Sequence, residues 1–280
     1  MAKLKAKVPP PVFPPVLTSL SLAGGQGKTT LSLFIGRLVA LEGPVLFVDA
    51  DPQHSLTTFL GVDPATRPNL LDLLTTSPKQ LSLQDAIHPV PDHENLFLIP
   101  SNSSLETANI ALANSGLSLF SLRDRLTQAD ELLEGKPLLS SFKLAIVDPC
   151  PTQSHLALTS LGAGTLWIIP AEANVKGTES LITTLELIDK YQTKLADRHL
   201  LGVVPFRARW TGLHPTQTTK DNIEVMREVV GEENVLPHIL DSEVYKRAID
   251  QRCLPRDLNK PDLEYPLEKL LERIRPHFTS

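Results

Sequence analysis

The chain has 280 residues, 41% of them hydrophobic and 5% aromatic, and a formal net charge of −5. That balance excludes a generally basic nucleic-acid coat, and two cysteines exclude a disulfide framework or a four-cysteine metal centre. No apolar run reaches the ~18 residues of a membrane span, and the length suits one large α/β domain.

Residues 1–15 hold three lysines and the run Pro9-Pro10-Pro11-Val12-Phe13-Pro14-Pro15, so a flexible, extended tail is expected there, followed by a single domain over 16–280. The opening segment has no signal-peptide apolar run, and the sparse cysteines fit a reducing cytoplasm. From residue 16 onward, β-prone apolar runs alternate with helical periodicity. Strands are expected at 16–22, 45–48, 96–99, 144–147, 166–169 and 201–204, with a short one near Val235-Leu236. Helices are expected at 29–41, 105–113, 119–133, 178–195, 219–230 and 266–274, with a further one beginning near Ser242. Continuous apolar strands between helices imply a doubly wound, mostly parallel sheet of about seven or eight strands with helices on both faces.

Between the first strand and the first helix stands Ala23-Gly24-Gly25-Gln26-Gly27-Lys28-Thr29-Thr30. Strand–glycine loop–helix is the context of a phosphate-binding loop. Glycines let backbone N–H groups approach phosphate oxygens, and the helix N-terminus adds positive charge. Gly24, Gly25, Gln26, Gly27, Lys28, Thr29 and Thr30 are therefore candidate ATP-binding residues, with Lys28 reaching the β- and γ-phosphates and Thr29 offering its hydroxyl to Mg²⁺.

In an open parallel sheet, ligands gather at the carboxyl ends of the strands, which selects three more segments. Val48-Asp49-Ala50-Asp51-Pro52-Gln53 follows the second strand; one carboxylate can hold the magnesium shell and the other can orient an attacking water. Asp148 ends the apolar run Leu144-Ala145-Ile146-Val147 and can reach Mg²⁺ through water. Lys176 follows Ile168-Ile169-Pro170-Ala171-Glu172-Ala173-Asn174-Val175, just before a helix, where a cation is mildly disfavoured unless a phosphate is near. Cys150 reads as a packed small residue. Lys143 precedes its strand and belongs at the opposite edge. Arg207 and Arg209 could face phosphate, a partner subunit or DNA.

The loop Gly-Gly-Gln-Gly-Lys-Thr-Thr, with Leu22 where the common pattern has glycine, resembles the deviant Walker A loop of the ParA/MinD family of positioning ATPases. Asp-x-Asp-Pro-Gln resembles that family's first switch, and Asp148-Pro149-Cys150-Pro151 its second. The resemblance covers roughly residues 16–275. It implies that Asp51 positions the water, that Asp49 supports magnesium, and that Pro205, Phe206 and Arg207 pack on the adenine. A family lysine that crosses the dimer interface is replaced here by Ala23, and Lys176 is the best-placed surrogate. The missing lysine and the Glu-x-x-Val-Lys-Gly loop are most similar to McdA-type carboxysome-positioning ATPases and related plasmid ParA proteins.

The family implies a cytoplasmic, nucleoid-associated, ATP-dependent sandwich homodimer that binds nonspecific DNA. It also implies slow ATP hydrolysis stimulated by an adaptor of McdB or ParB type. Lys246, Arg247 and Arg252 are candidate DNA contacts, with Arg273 and Arg275 in the last helix. Two alternatives compete: a metabolic P-loop enzyme (a dethiobiotin-synthetase-like ligase or a kinase) and a MinD-like membrane-cycling ATPase. The first needs a second, substrate-binding constellation, which the sequence does not display. The second needs a basic amphipathic C-terminal helix, whereas Glu264, Glu268 and Glu272 dilute the charge beside the Leu267, Leu270, Leu271, Ile274 stripe.

Overall fold

A computed structural model describes residues 13–116, 118–129, 133–195 and 197–278. Of the expected N-terminal tail, residues 1–12 lie outside the described residues. Pro14 and Pro15 do not belong to a tail: both are buried, and the Pro15 carbonyl accepts a hydrogen bond from Ala145 N at 3.1 Å, which leads the chain into the sheet.

The strands are β1 (Val16–Ser19), β2 (Val45–Ala50), β3 (His88–Pro89), β4 (Leu96–Ile99), β5 (Leu144–Pro149), β6 (Leu166–Glu172) and β7 (His199–Phe206), in the spatial order β3-β4-β2-β5-β1-β6-β7. All neighbours pair in parallel except the short edge pair β3–β4. A separate two-stranded hairpin, β8 (Trp210–Thr211) with β9 (His214–Pro215), follows β7. The expected strand near Val235 contributes only an isolated bridge to Val203, so the sheet has seven strands.

The helices are α1 (Lys28–Ala40), α2 (Ser55–Leu60), α3 (Leu70–Thr75), α4 (Ala108–Ser115), α5 (Ser121–Leu126), α6 (His155–Ala163), α7 (Val175–Tyr191), α8 (Gln217–Val230), α9 (Glu243–Asp250) and α10 (Tyr265–Ile274). Of the expected helix 119–133, Ser121–Leu126 form α5 and residues 130–132 lie outside the described residues; a 3₁₀ turn, Leu138–Ser141, stands further on. The short α2, α3 and α6 were not expected. Each has little apolar periodicity of its own and is shaped by burial against the sheet and by caps. Asn69 and Asp72 form a capping box on α3, and Ser154 accepts from Ala157 N at the start of α6.

Burial on both faces explains the unbroken apolar strands. Leu46 and Val48 face one core with Leu70, Leu73 and Leu105, while Phe47 and Ile146 face the other with Leu33, Ile35 and Leu270. The stripe Leu267, Leu270, Leu271 and Ile274 of α10 is entirely buried in that second core, so α10 is a docked helix and not an amphipathic membrane anchor. No helix among the described residues is long and apolar enough to cross a membrane.

Candidate functional site

Strand order places β1 inside the sheet, between β5 and β6, so its carboxyl end opens where the neighbouring strands deliver their own polar residues. The loop after β1 enters α1 through Gly27, whose φ of 97° is left-handed; a Cβ there would lie 2.6 Å from the Phe206 ring. No side chain caps α1, which leaves its first-turn N–H groups facing a cleft. That cleft, about 400 Å³, is lined by Gly24 through Thr30, by Asp51, Gln53, Ser55 and Phe59, and by Pro151, Phe206 and Arg207. Free N–H donors, glycine backbone and one lysine form an oxyanion cradle of the kind that holds nucleotide phosphates.

Lys28 is 7% exposed, and its Nζ donates to the Ala23 carbonyl at 3.5 Å. Burial lowers its pKa, against the pull of Asp148 and Asp51. Behind it, Asp49 of β2 and Asp148 of β5 stand in register on adjacent parallel strands. Burial pushes Asp148 up to about 7; Asp49 adds to that push, while the Thr29 hydroxyl and Lys28 oppose it. Asp148 Oδ1 is a buried acceptor with no partner among the described residues. An orphaned carboxylate oxygen beside the Thr29 hydroxyl fits a magnesium ion bound through water.

Asp49, expected from the resemblance to support magnesium, is held by the segment that follows it. Its Oδ2 accepts from Thr57 N at 2.8 Å and from the Thr57 hydroxyl at 2.7 Å, and its Oδ1 accepts from Asp51 N at 3.2 Å. Both oxygens thus serve the chain that follows β2, although burial still raises its pKa to about 6. Asp51 lines the cleft. Its Oδ1 accepts from Gln53 N at 2.9 Å, and its Oδ2 has no hydrogen bond among the described residues.

From the other side, the turn after β6 closes over the loop. Gln26 is 1% exposed, and its Oε1 accepts from Glu172 N at 2.8 Å, so this side chain braces the loop instead of facing the cleft freely. Lys176, the second residue of α7, donates from Nζ to the Gly24 carbonyl at 3.3 Å. The sequence reading placed it at this edge, and the structure brings it onto the loop itself. Gly177 makes the approach possible: a Cβ there would lie 1.9 Å from the Glu172 carbonyl oxygen. Glu172, the glutamate of the Glu-x-x-Val-Lys-Gly loop, to which the sequence assigned no role of its own, also sits 4.0 Å from Arg207 Nη1. Arg207 adopts a left-handed φ of 52°, which turns it back over the cleft beside Phe206.

The remaining candidates separate from this cluster. Pro205 does not line the cleft; it faces a different cavity with Lys220, Arg227 and His238. Lys246 is paired with Glu243 at 2.7 Å, and Arg247 is exposed on α9. Arg252 lines a third cavity with Arg37 and Leu96, the first residue of β4, at the edge opposite the loop. Arg273 donates to the Leu201 and Glu233 carbonyls and Arg275 pairs with Glu42, so both tie α10 to the body. Arg209 pairs with Asp241 at 3.2 Å. Lys143, at the opposite edge as expected, pairs with Glu42 at 3.3 Å. Cys150 is buried against the Ser154 hydroxyl at 3.2 Å, as a packed residue.

A family model described as an AAA domain matches residues 16–198. "Maintenance of carboxysome distribution protein A" of Gloeothece citriformis is 40% identical over 261 residues, covering 92% of this chain and 96% of that protein. The protein of the same description from Synechococcus elongatus is 39% identical, covering 92% and 98%. A probable plasmid-partitioning protein ParA of Thermus thermophilus is 32% identical, covering 92% and 79%. Among solved structures, Cyanothece McdA without nucleotide has a TM-score of 0.83 at 38% identity, covering 93% of this chain and 99% of that one. An aspartate-to-alanine variant of Cyanothece McdA in complex with ATP has a TM-score of 0.86 at 37% identity, covering 95% and 98%.

Proposed function

The chain belongs to the ParA-like McdA family, and from that premise we propose that it is an ATP-dependent positioning ATPase that distributes a large cargo, a carboxysome or a plasmid. The cleft supports the reading: Lys28 and the uncapped N-terminus of α1 would hold ATP phosphates, and Phe206 and Arg207 would flank the base. Magnesium, held through Thr29 and Asp148, would neutralise phosphate charge in the reaction. Asp51, which lines the cleft and whose Oδ2 accepts no hydrogen bond among the described residues, would orient the attacking water. Asp51 is the one carboxylate among the described residues that line the cleft, an arrangement that suits slow, partner-stimulated hydrolysis.

The single observation that carries the oligomeric part of the proposal is Lys176. Its ammonium lies on the outer edge of the phosphate loop, beside Val175, which is 64% exposed. An apolar residue and a cation at the mouth of a nucleotide site suit the face-to-face contact of two copies, with ATP between them and Lys176 replacing the cation absent at Ala23. Joining two protomers would also double a weak basic surface. Because log affinity scales with the number of neutralised phosphates, ATP would switch on nonspecific DNA binding and place the protein on the nucleoid. Of the basic candidates, Arg247 and Arg252 have no ion pair among the described residues, whereas Lys246 gives part of its charge to Glu243. An adaptor of McdB or ParB type would stimulate hydrolysis and release.

Light scattering with ATP·Mg²⁺ and with ADP, on wild type and Lys176→Ala, tests the proposal. We expect a dimer in ATP alone, lost in the variant. Wild type that stays monomeric in both nucleotides removes the switch and favours a metabolic P-loop enzyme, whereas a variant that dimerises like wild type removes only the role of Lys176.

A further inference from the structure

Asp51 sits on a segment without regular structure, between β2 and α2, yet it must hold a water within hydrogen-bond reach of a phosphate. Three buried groups fix that segment. Ser101, fully buried just past the carboxyl end of β4, donates from its hydroxyl to the Asp51 carbonyl at 2.7 Å. Its backbone N–H donates to the Thr57 hydroxyl at 3.0 Å. That hydroxyl in turn donates to Asp49 Oδ2 at 2.7 Å, and Asp49 Oδ1 accepts from the backbone N–H of Asp51 itself. The chain of bonds runs Asp51–Ser101–Thr57–Asp49–Asp51 and closes on itself. Asp49 also supplies what α2 lacks: His54 at its N-cap gives no side-chain cap, and the Asp49 carboxylate accepts from Thr57 N within the first turn instead.

We propose that Ser101 and Thr57 are positioning residues for Asp51, a latch that fixes the carbonyl and the N–H of that residue against β2 and β4 and so aims its carboxylate at the water. The chemistry explains each residue type. Thr57 must donate to a carboxylate and accept from an amide at once, which a hydroxyl does and a methyl does not. Ser101 must reach a backbone carbonyl from a fully buried position, where an unmade hydrogen bond is costly. The latch also accounts for both oxygens of Asp49 being engaged by Asp51 and Thr57.

This inference rests on the reading of Asp51 given above, and the experiment separates the two. ATP turnover and equilibrium ATP affinity are measured with Mg²⁺ for wild type, Asp51→Ala, Ser101→Ala, Thr57→Val and Thr57→Ser. Amide hydrogen exchange is followed in the nucleotide-free proteins. Ser101→Ala and Thr57→Val are expected to lower kcat at least about tenfold, the scale of a small misplacement of a reacting group, with ATP affinity within about twofold. Exchange should rise over residues 51–57 and stay unchanged in β5, which distinguishes a loosened latch from unfolding. Thr57→Ser keeps the hydroxyl and should restore turnover. Wild-type turnover in Asp51→Ala overturns the reading of Asp51. An inactive Asp51→Ala together with wild-type kcat in Ser101→Ala and Thr57→Val, or a Thr57→Ser as slow as Thr57→Val, overturns the latch alone.

Discussion

Asp49 and Asp148 face each other across two parallel strands with almost no exposure, which makes the nucleotide-free site an electrostatic liability. The sign of its pH dependence follows from protons bound. Asp148 is pushed up to about 7 in the folded chain but keeps an ordinary carboxylate pKa when unfolded, so the folded state holds the extra proton in between. Its contribution to stability is therefore lost as pH rises from about 4 through about 7. Asp148→Asn removes that loss. Without nucleotide or Mg²⁺, its melting temperature relative to wild type should climb between pH 5 and pH 8 by roughly 5 °C. A difference that stays flat with pH would show that Asp148 is ionised throughout. The second residue-scale prediction concerns Lys28. Removing its charge-assisted contacts to two phosphates should weaken ATP binding by roughly 100-fold in Lys28→Ala, as read by equilibrium titration with a fluorescent analogue. Both aspartates and this lysine were legible in the sequence, because strand-then-carboxylate and Gly-Lys-Thr are local patterns. Thr57 and Ser101 were not, since nothing local distinguishes a hydroxyl that closes a network 44 residues away.

At the scale of elements, the turn from β6 into α7 sets where Lys176 stands. Asn174 caps α7 by accepting from Gly177 N at 2.9 Å, and Gly177 lets the helix start directly against Glu172. Gly177→Ala would drive a methyl into a backbone oxygen that has no freedom to retreat. The cost should be about 1–3 kcal/mol, a fall of roughly 3–10 °C in melting temperature. Calorimetry checks that fall, and weakened ATP-dependent association should accompany it. Long, strongly periodic elements such as α1, α7, α8 and α10, and the buried strands, were readable because one hydrophobic pattern spans each of them. The six-residue α2 and α3 were not. Isolated turns of that length do not form by propensity, and here packing and capping from distant residues hold them. The same physics limits α5, which ends at Leu126 where its C-cap residue Thr127 leaves the helical backbone region.

For the whole molecule, the expected behaviour is association governed by nucleotide and by salt. If ATP joins two basic surfaces, DNA affinity in ATP should fall roughly 10³-fold between 50 and 200 mM salt, a slope that reflects released counterions, and ADP should give weak binding throughout. Fluorescence anisotropy on duplexes of unrelated sequence measures this. An ATP-state affinity that ignores salt would remove nonspecific DNA binding from the proposal. The C-terminal third shows why this surface resisted sequence analysis. Arg209, Arg273 and Arg275 looked like the same kind of residue as Arg247, yet the fold commits those three to Asp241, to two backbone carbonyls and to Glu42.

The sequence by itself determined the class of this protein. Alternating apolar strands and helices point to a parallel sheet covered by helices, and Gly-Lys-Thr-Thr between a strand and a helix points to a phosphate-binding loop. Tertiary structure alone decided the site's working geometry. It brought Lys176 onto Gly24, turned Asp49 toward Thr57, tied Ser101 to Asp51 and separated Pro205 from Phe206. The physical reason is range. Propensity and periodicity act over a few residues, whereas the Lys176–Gly24 and Ser101–Asp51 bonds depend on strand order, which places side by side residues that the chain keeps far apart.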